Sequence, residues 1–216
     1  MPAVQSRPAR RTRSLWPGFL LKCILLAVAL VVLVCFSLPR LLGNAGGASL
    51  PDEVPAWVDQ ELLPINPYSR PGTPLEAVNG VVIHYTGNPG TTAEQNRSYF
   101  ARLALPHETY ASSQFLIDMD GSVIQCVPVN EIAYCSSQRN ADTLSIEVCH
   151  PDESGRFTEE TQASLTRLVQ WACDTYGLAR DQILRHYDVT GKECPRYFVD
   201  HPDAWETFLD GLNFPA

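Results

Sequence analysis

The sequence predicts an α/β domain with a central mixed β-sheet flanked by helices, preceded by one N-terminal transmembrane helix. Three observations lead to this prediction. Short apolar runs alternate with amphipathic stretches over residues 78–214, as strands and helices do in one α/β domain. An Asp120-Gly121 turn joins two of the apolar runs as a hairpin. The N-terminal part is basic and then almost uniformly apolar.

The predicted transmembrane helix occupies residues 19–38. This stretch carries one charge, on Lys22, and its length suits a bilayer core of about 30 Å. The first acidic residue of the chain is Asp52. The basic residues before it are Arg7, Arg10, Arg11, Arg13, Lys22 and Arg40.

This charge distribution predicts the orientation of the chain. Positive residues before a span favour a cytoplasmic N-terminus, so residues 1–18 form a basic cytoplasmic tail and the domain lies outside. We therefore expect a single-pass protein of the cytoplasmic membrane, held by a signal-anchor helix. The alternative is a secreted domain, because Ala45 and Ala48 follow small residues at the offset that a signal peptidase requires.

The region before and after the first predicted strand has three parts. Residues 39–77 are rich in Gly and Pro, which indicates a linker that becomes an ordered, irregular arm. The apolar run at 80–84 predicts a strand. Thr92 and Gln95 have the spacing of a capping box that begins a helix. The expected buried face of this helix comprises Tyr99, Phe100 and Leu103.

The rest of the domain is predicted from the same patterns. The hairpin strands are residues 114–119 and 122–127, and residues 144–149 alternate apolar and polar as a further strand. The clearest helix spans 159–176, between the N-cap Thr158 and the terminating Gly177. A short strand at 183–184 and a helix at 203–212 complete the domain.

The part of the chain after the predicted span is acidic. Residues 41–216 contain ten Lys and Arg against 24 Asp and Glu, a net charge of −14. Nucleic-acid binding requires a basic surface, so this composition excludes a nucleic-acid partner. We expect a monomer that reaches the membrane through its N-terminal helix.

The cysteines of the exported domain allow two interpretations. With Cys194 set aside as a ligand, four remain: Cys126, Cys135, Cys149 and Cys173. An even number in an oxidising compartment permits a disulfide, and Cys126 and Cys135 are the pair nearest in sequence. We favour buried free thiols, because a core of this size needs no covalent staple.

His84, His186 and Cys194 are the candidate metal ligands. Each His ends an apolar strand, and a Gly-containing loop of seven residues between His186 and Cys194 lets both point at one ion. Imidazole and thiolate ligands favour Zn²⁺, here one ion per domain. Three ligands leave one tetrahedral position open, which is typical of a catalytic rather than a structural zinc.

Two charged residues are candidate catalytic groups. Lys192 is one of only two lysines in the chain, and an ammonium beside a metal can stabilise negative charge on a carbonyl oxygen. Glu147 lies between Ile146 and Val148, where a carboxylate is costly unless it faces a cleft. There it could act as a base on a water at the metal.

These residues resemble the motifs of the zinc-dependent N-acetylmuramoyl-L-alanine amidases. That family shares its fold with amidase-type phage lysozymes and peptidoglycan recognition proteins. The resemblance covers residues 78–212 in the right order. Its motifs are Val81-Val82-Ile83-His84-Tyr85-Thr86, Phe115-Leu116-Ile117-Asp118-Met119-Asp120-Gly121, Ser145-Ile146-Glu147-Val148 and His186 to Cys194.

The resemblance implies that residues 78–214 are a zinc-dependent amidase domain. Its substrate would be peptidoglycan, cut at the amide between N-acetylmuramic acid and L-alanine of the stem peptide. His84, His186 and Cys194 match the ligands, and Lys192 matches the lysine that stabilises the transition state. Glu147 matches the base of the recycling-amidase branch.

The sequence departs from the family pattern at three positions. Ser113 stands where phage and recognition-protein members carry Tyr, which shifts the role of base to Glu147. Gln114 and Cys135 stand where the family often has His. The expected substrate contacts are Ser113, Gln114 and Tyr85.

Two other functions fit the same fold. One is a catalytically silent receptor that binds peptidoglycan without cutting it, although such receptors commonly lose the ligand at the position of Cys194. The other is a zinc peptidase that cuts within the stem peptide.

Overall fold

The computed structural model describes residues 50–215. The predicted tail at 1–18 and the predicted span at 19–38 lie outside the described residues. Within the described part, no helix combines the length and apolar character that crossing a bilayer demands.

A mixed sheet is the centre of the described part, as predicted. Its six strands are β1 (Asp59–Gln60), β2 (Val81–Tyr85), β3 (Phe115–Ile117), β4 (Val123–Gln125), β5 (Leu144–Val148) and β6 (Ile183–Arg185). They lie side by side in the order β1-β4-β3-β5-β2-β6. The hairpin strands β3 and β4 are antiparallel, and the other neighbours are parallel. The predicted strands are confirmed, with the hairpin strands shorter than expected.

Helices cover both faces of the sheet. They are α1 (Ala93–Arg102), α2 (Glu159–Tyr176), α3 (His186–Thr190), α4 (Arg196–Asp200) and α5 (Pro202–Asp210). Apolar residues of α2 and α5 form one core with alternate residues of β2, β3 and β5. Residues of α1 form a second, smaller core on the opposite face. The fold is therefore a three-layer α/β arrangement.

Alternation along β2 decides which residues face α1. Val81 and Ile83 belong to the core beneath α2, so Val82 and His84 point to the other face. The parallel register pairs His84 with Glu147 of β5, and paired residues of neighbouring strands share a face. Two polar side chains are thereby placed side by side on the α1 face, near the carboxyl ends of their strands.

Helix α1 begins as predicted but buries a different face. The Thr92 hydroxyl accepts a hydrogen bond from the Gln95 amide, and the Gln95 side chain accepts one from the Thr92 amide. Phe100 and Leu103 are buried, but the prediction for Tyr99 was wrong, because its side chain is 45% exposed. The buried positions of the helix itself are Ala93, Asn96 and Phe100, at helical spacing, and Tyr99 lies one residue off that line.

Helix α2 has the predicted caps. Thr158 accepts a hydrogen bond from the Thr161 amide at its N-terminus, and Gly177 ends it with φ of +67°. The Asp120-Gly121 hairpin turn packs against its first turns, because the Ser164 hydroxyl donates to the Gly121 carbonyl at 2.6 Å. Gly121 also has a positive φ, of +85°.

Replacing Gly121 with Ala is expected to lower the free energy of unfolding by about 2–4 kcal/mol. This combines the cost of a left-handed backbone conformation for Ala with the cost of an overpacked contact. The new Cβ would lie 2.9 Å from the Glu160 carbonyl oxygen, which belongs to the α2 backbone and cannot rotate away. Gly177→Ala is the matched control, since φ is positive there too but nothing lies within 4 Å of the new Cβ. We expect a cost of about 1 kcal/mol for it, measured by urea unfolding. An equal loss of unfolding free energy in the two variants would show that the contact between the new Cβ and the Glu160 carbonyl has no effect.

The arm before β2 takes part in the sheet and the core. Strand β1 pairs in parallel with β4, a pairing that the sequence did not predict. Beyond it, the Leu63 amide donates to the Cys126 carbonyl at 2.8 Å. Leu63 and Leu75 are buried, and an ion pair of 2.8 Å joins Arg70 to Glu131. The described part of the arm, residues 50–77, is thus attached to the domain at several points.

Candidate metal centre

The structure brings His84, His186 and Cys194 together, although they lie far apart in sequence. His84 lies in β2, and His186 begins α3 directly after β6, the neighbour of β2. The two Nδ1 atoms are 3.1 Å apart, and Cys194 Sγ lies 3.9 Å from His84 Nδ1. All three side chains are buried, and their ligand atoms lie within 4.8 Å of one another.

The segment between His186 and Cys194 is a helical turn followed by a reversal, so the prediction of a loop was wrong in part. Residues His186–Thr190 form α3, and Gly191 ends it with φ of +78°. The chain then turns back, and the Tyr187 amide donates to the Cys194 carbonyl at 2.9 Å. This bond fixes Cys194 beside the first turn of α3, where His186 lies.

The donor set fits zinc. Two imidazole nitrogens and one sulfur are ligands that zinc prefers, and here they lie within 4.8 Å of one another. The other ring nitrogen of His84, Nε2, lies 3.1 Å from Ser136 Oγ. A hydrogen bond from Nε2 to Ser136 leaves Nδ1 unprotonated, and such second partners orient the histidines of metal sites.

Burial favours the neutral forms of these side chains. It is the main cause that lowers the pKa of His84 and of His186, and the positive charge of Lys192 lowers both further. Burial also raises the pKa of Cys194 to about 12, although a hydrogen bond from the Tyr85 amide opposes this. Neutral imidazoles can bind a metal directly, whereas the Cys194 thiolate requires a cation beside it.

Glu147 lies next to this cluster. Its Oε1 accepts a hydrogen bond from Cys135 Sγ at 3.3 Å, and its Oε2 is buried without a partner among the described residues. A carboxyl oxygen of Glu147, a nitrogen of His84 and Cys135 Sγ lie within 4.8 Å of one another. Burial raises the pKa of Glu147 to about 7, while the Cys135 hydrogen bond and the charge of Lys192 lower it. Near neutral pH this carboxyl can therefore accept or donate a proton.

Lys192 lies at the rim of the cluster. Its side chain is exposed in the turn after α3, and the described residues offer it no ion pair. Its charge nevertheless lowers the pKa of His84, His186 and Glu147. The ammonium is thus close enough to act on a negative charge that forms beside the three ligands.

The three expected substrate contacts do not line this site. Ser113 and Gln114 are fully buried. The Ser113 hydroxyl donates to the Phe115 carbonyl, and Gln114 Oε1 accepts from the amide and hydroxyl of Ser145. The Gln114 bonds join the start of β3 to β5, and the Ser113 bond stays within the segment that enters β3, so the two side chains are structural.

Tyr85 also differs from the prediction. Alternation in β2 turns its ring away from His84, and the ring packs against His150 with the centroids 5.0 Å apart. Its backbone amide, by contrast, faces Cys194. Ser136 was missed, because a serine in an irregular segment carries no signal in the sequence. Cys135 was noted as a departure from the family pattern and as a possible disulfide partner of Cys126, but it is a free thiol beside Glu147.

Comparison with known proteins identifies the family. The family described as N-acetylmuramoyl-L-alanine amidase matches residues 74–197, more than half of the chain. The chain belongs to the N-acetylmuramoyl-L-alanine amidase family. A probable N-acetylmuramoyl-L-alanine amidase of Bacillus licheniformis is 36% identical over 154 residues, which are 66% of this chain and 43% of that protein. The amidase BlyA of Bacillus subtilis is 34% identical over 172 residues, 70% of this chain and 45% of that protein. This amidase-family chain thus spans less than half the length of these relatives.

Solved structures of this amidase fold agree. The catalytic domain of XlyA superposes with a TM-score of 0.60 and 23% identity, covering 72% of this chain and 99% of that one. An AmpD derivative gives a TM-score of 0.54 and 18% identity, and the match covers 76% of this chain and 99% of that one. Because both sequence identities are below 25%, these structural matches show a shared fold and nothing more.

Proposed function

We propose that this domain is a zinc-dependent N-acetylmuramoyl-L-alanine amidase. It would hydrolyse the amide between N-acetylmuramic acid and L-alanine of the peptidoglycan stem peptide. The observation that carries the proposal is the half-buried Glu147, with a pKa of about 7, next to His84 in a cluster of three metal-binding side chains. Membership of the family and the names of the relatives support the choice of bond.

Each residue of the cluster has a chemical role in this proposal. His84, His186 and Cys194 would hold zinc, which as a Lewis acid polarises the amide carbonyl and lowers the pKa of water. The Glu147 carboxylate takes the proton of the attacking water, and the Glu147 carboxylic acid then gives a proton to the leaving amine of L-alanine. The Lys192 ammonium stabilises the negative charge that develops on the carbonyl oxygen.

We also propose that the domain works outside the cytoplasmic membrane as a monomer. The proposal for the location rests on the basic residues before the apolar stretch at 19–38 and on the lack of such a cluster after it. A secreted form without the anchor would act in the same compartment.

The decisive experiment is product analysis after digestion of purified peptidoglycan with the zinc-loaded protein. We expect new amino termini of L-alanine to appear, together with glycan strands that keep their lactyl groups, by amine labelling and mass spectrometry. Cuts between amino acids of the stem would instead indicate a peptidase. Binding to the wall without any new amino terminus would contradict an enzymatic role and indicate a receptor.

A further inference from the structure

A row of aromatic rings lies beside the candidate catalytic residues and has no part in the proposed chemistry. His107 stacks on Tyr68 with the centroids 4.6 Å apart, and Tyr68 stacks on Tyr110 at 5.1 Å. Tyr134 meets Tyr110 edge to face at 5.5 Å. Tyr110 is 59% exposed, and Ile65 nearby is 69% exposed. These rings belong to loops, so burying them in a core does not explain them.

Two of these rings, Tyr110 and Tyr134, line two adjoining cavities, which we call the aromatic trough. The larger, of about 460 Å³, is bounded by Ile65, Pro67, Tyr110 and Tyr134, among others. This volume is typical of small-ligand sites. The smaller, of about 230 Å³, shares Tyr110 and Tyr134 and is also bounded by Cys135. Cys135 also donates a hydrogen bond to Glu147, so a single side chain lies between the smaller cavity and the proposed catalytic carboxyl.

The backbone holds the trough in place before any ligand binds. The Tyr134 carbonyl accepts from the Ser112 amide at 3.1 Å, and the Tyr134 amide donates to the Ser112 hydroxyl at 3.0 Å. The Ala111 amide donates to the Tyr68 carbonyl at 3.1 Å, which fixes the position of Tyr110. A preformed site loses less conformational entropy when a ligand binds.

The chemistry of the lining selects one side of the substrate. The scissile amide joins an uncharged sugar unit to a stem peptide that carries carboxylates, so a substrate group that enters the trough would come from one of these two sides. The side chains that line it are uncharged, being aromatic, aliphatic, amide, hydroxyl and thiol groups. Within an acidic domain, such a surface offers no positive charge to a carboxylate. Tyrosine faces and hydroxyls suit the apolar ring faces and polar edges of a pyranose.

We propose that the aromatic trough is a subsite for the glycan strand, binding N-acetylhexosamine units next to the cleaved one. The inference rests on the proposed amidase function. It extends that function by making polymeric peptidoglycan, rather than a free muramoyl peptide, the preferred substrate.

Binding of a peptide-free saccharide tests the subsite without catalysis. The probe is the tetramer of N-acetylglucosamine, titrated calorimetrically into the zinc-loaded full chain in detergent. We expect Tyr110→Ala and Tyr134→Ala each to weaken binding about tenfold, the loss of one aromatic contact. Tyr99→Ala is the matched control, an exposed tyrosine on α1 outside the trough, and should bind as the unchanged protein does. Thermal unfolding of all four proteins checks that they remain folded.

Hydrolysis provides the second readout. The two trough variants should lose activity on polymeric peptidoglycan but keep it on a muramoyl tripeptide with a single sugar. The inference is overturned if the tetramer does not bind, if it binds all variants equally, or if a free stem peptide competes for the trough. A protein that binds the tetramer through these rings but cleaves nothing would refute the amidase function alone. A protein that cleaves peptidoglycan, but whose binding of the tetramer is unaffected by Tyr110→Ala and Tyr134→Ala, would refute the subsite alone.

Discussion

Replacing Glu147 with Gln is expected to reduce peptidoglycan hydrolysis about 10²–10⁴-fold, the usual contribution of a general acid–base group. The amide keeps the size of the side chain but cannot take up or release the proton. Because Glu147 is not among His84, His186 and Cys194, zinc content should stay unchanged. Release of L-alanine amino termini and metal analysis by mass spectrometry measure the two effects. A fully active Glu147→Gln protein would refute the proposed role.

The pH dependence provides an independent check on Glu147. The carboxylate form is the base, so activity should increase as the pH rises through the pKa of about 7. Removing the Cys135 thiol deletes a hydrogen bond that lowers this pKa, so Cys135→Ala should shift the rise to higher pH. Glu153→Gln removes an exposed carboxylate and should leave both the rate and the profile unchanged.

Replacing Cys194 with Ala is expected to weaken zinc binding more than about 100-fold, because even outer partners of a metal site contribute 10–100-fold. Two imidazoles would remain, without the negative charge that the thiolate contributes. Zinc per chain after dialysis and the rate of wall hydrolysis should fall together.

Cys173→Ala is the control for this loss. Cys173 is also a buried free thiol, but it lies in α2 within the core on the opposite face. Its removal should cost stability without any loss of zinc. Equal zinc in the Cys194→Ala protein and in the unchanged protein would exclude Cys194 from the site.

Local patterns in the sequence predicted most of the sheet and the ends of the main helices. The period of the apolar residues and the hydrogen-bonding side chains Thr92 and Thr158 act over one or two turns, so they can be read without the fold. The convergence of His84 and His186 was also predictable, since each follows an apolar run, and parallel strands place such residues at the same end of the sheet.

Features that depend on distant contacts could not be read in this way. Strand β1 is two residues long, and its extended form depends on pairing with β4. The hydrogen bond between His84 and Ser136 joins residues 52 positions apart. Ser113 and Gln114 have polar side chains that a sequence pattern assigns to a site, yet the bonds that bury them come from Ser145 and the backbone. The aromatic trough likewise depends on loops brought together by the fold.

The two outermost strands of the sheet are very short, β1 with two residues and β6 with three. An unpaired strand invites association with other chains, and short outer strands offer few free backbone groups for it. Strand β4 would expose its amide and carbonyl groups if the chain began at residue 78, because β1 and the bond from Leu63 to Cys126 cover them. We therefore expect a chain that begins at residue 78 to aggregate more readily than one that keeps residues 50–77.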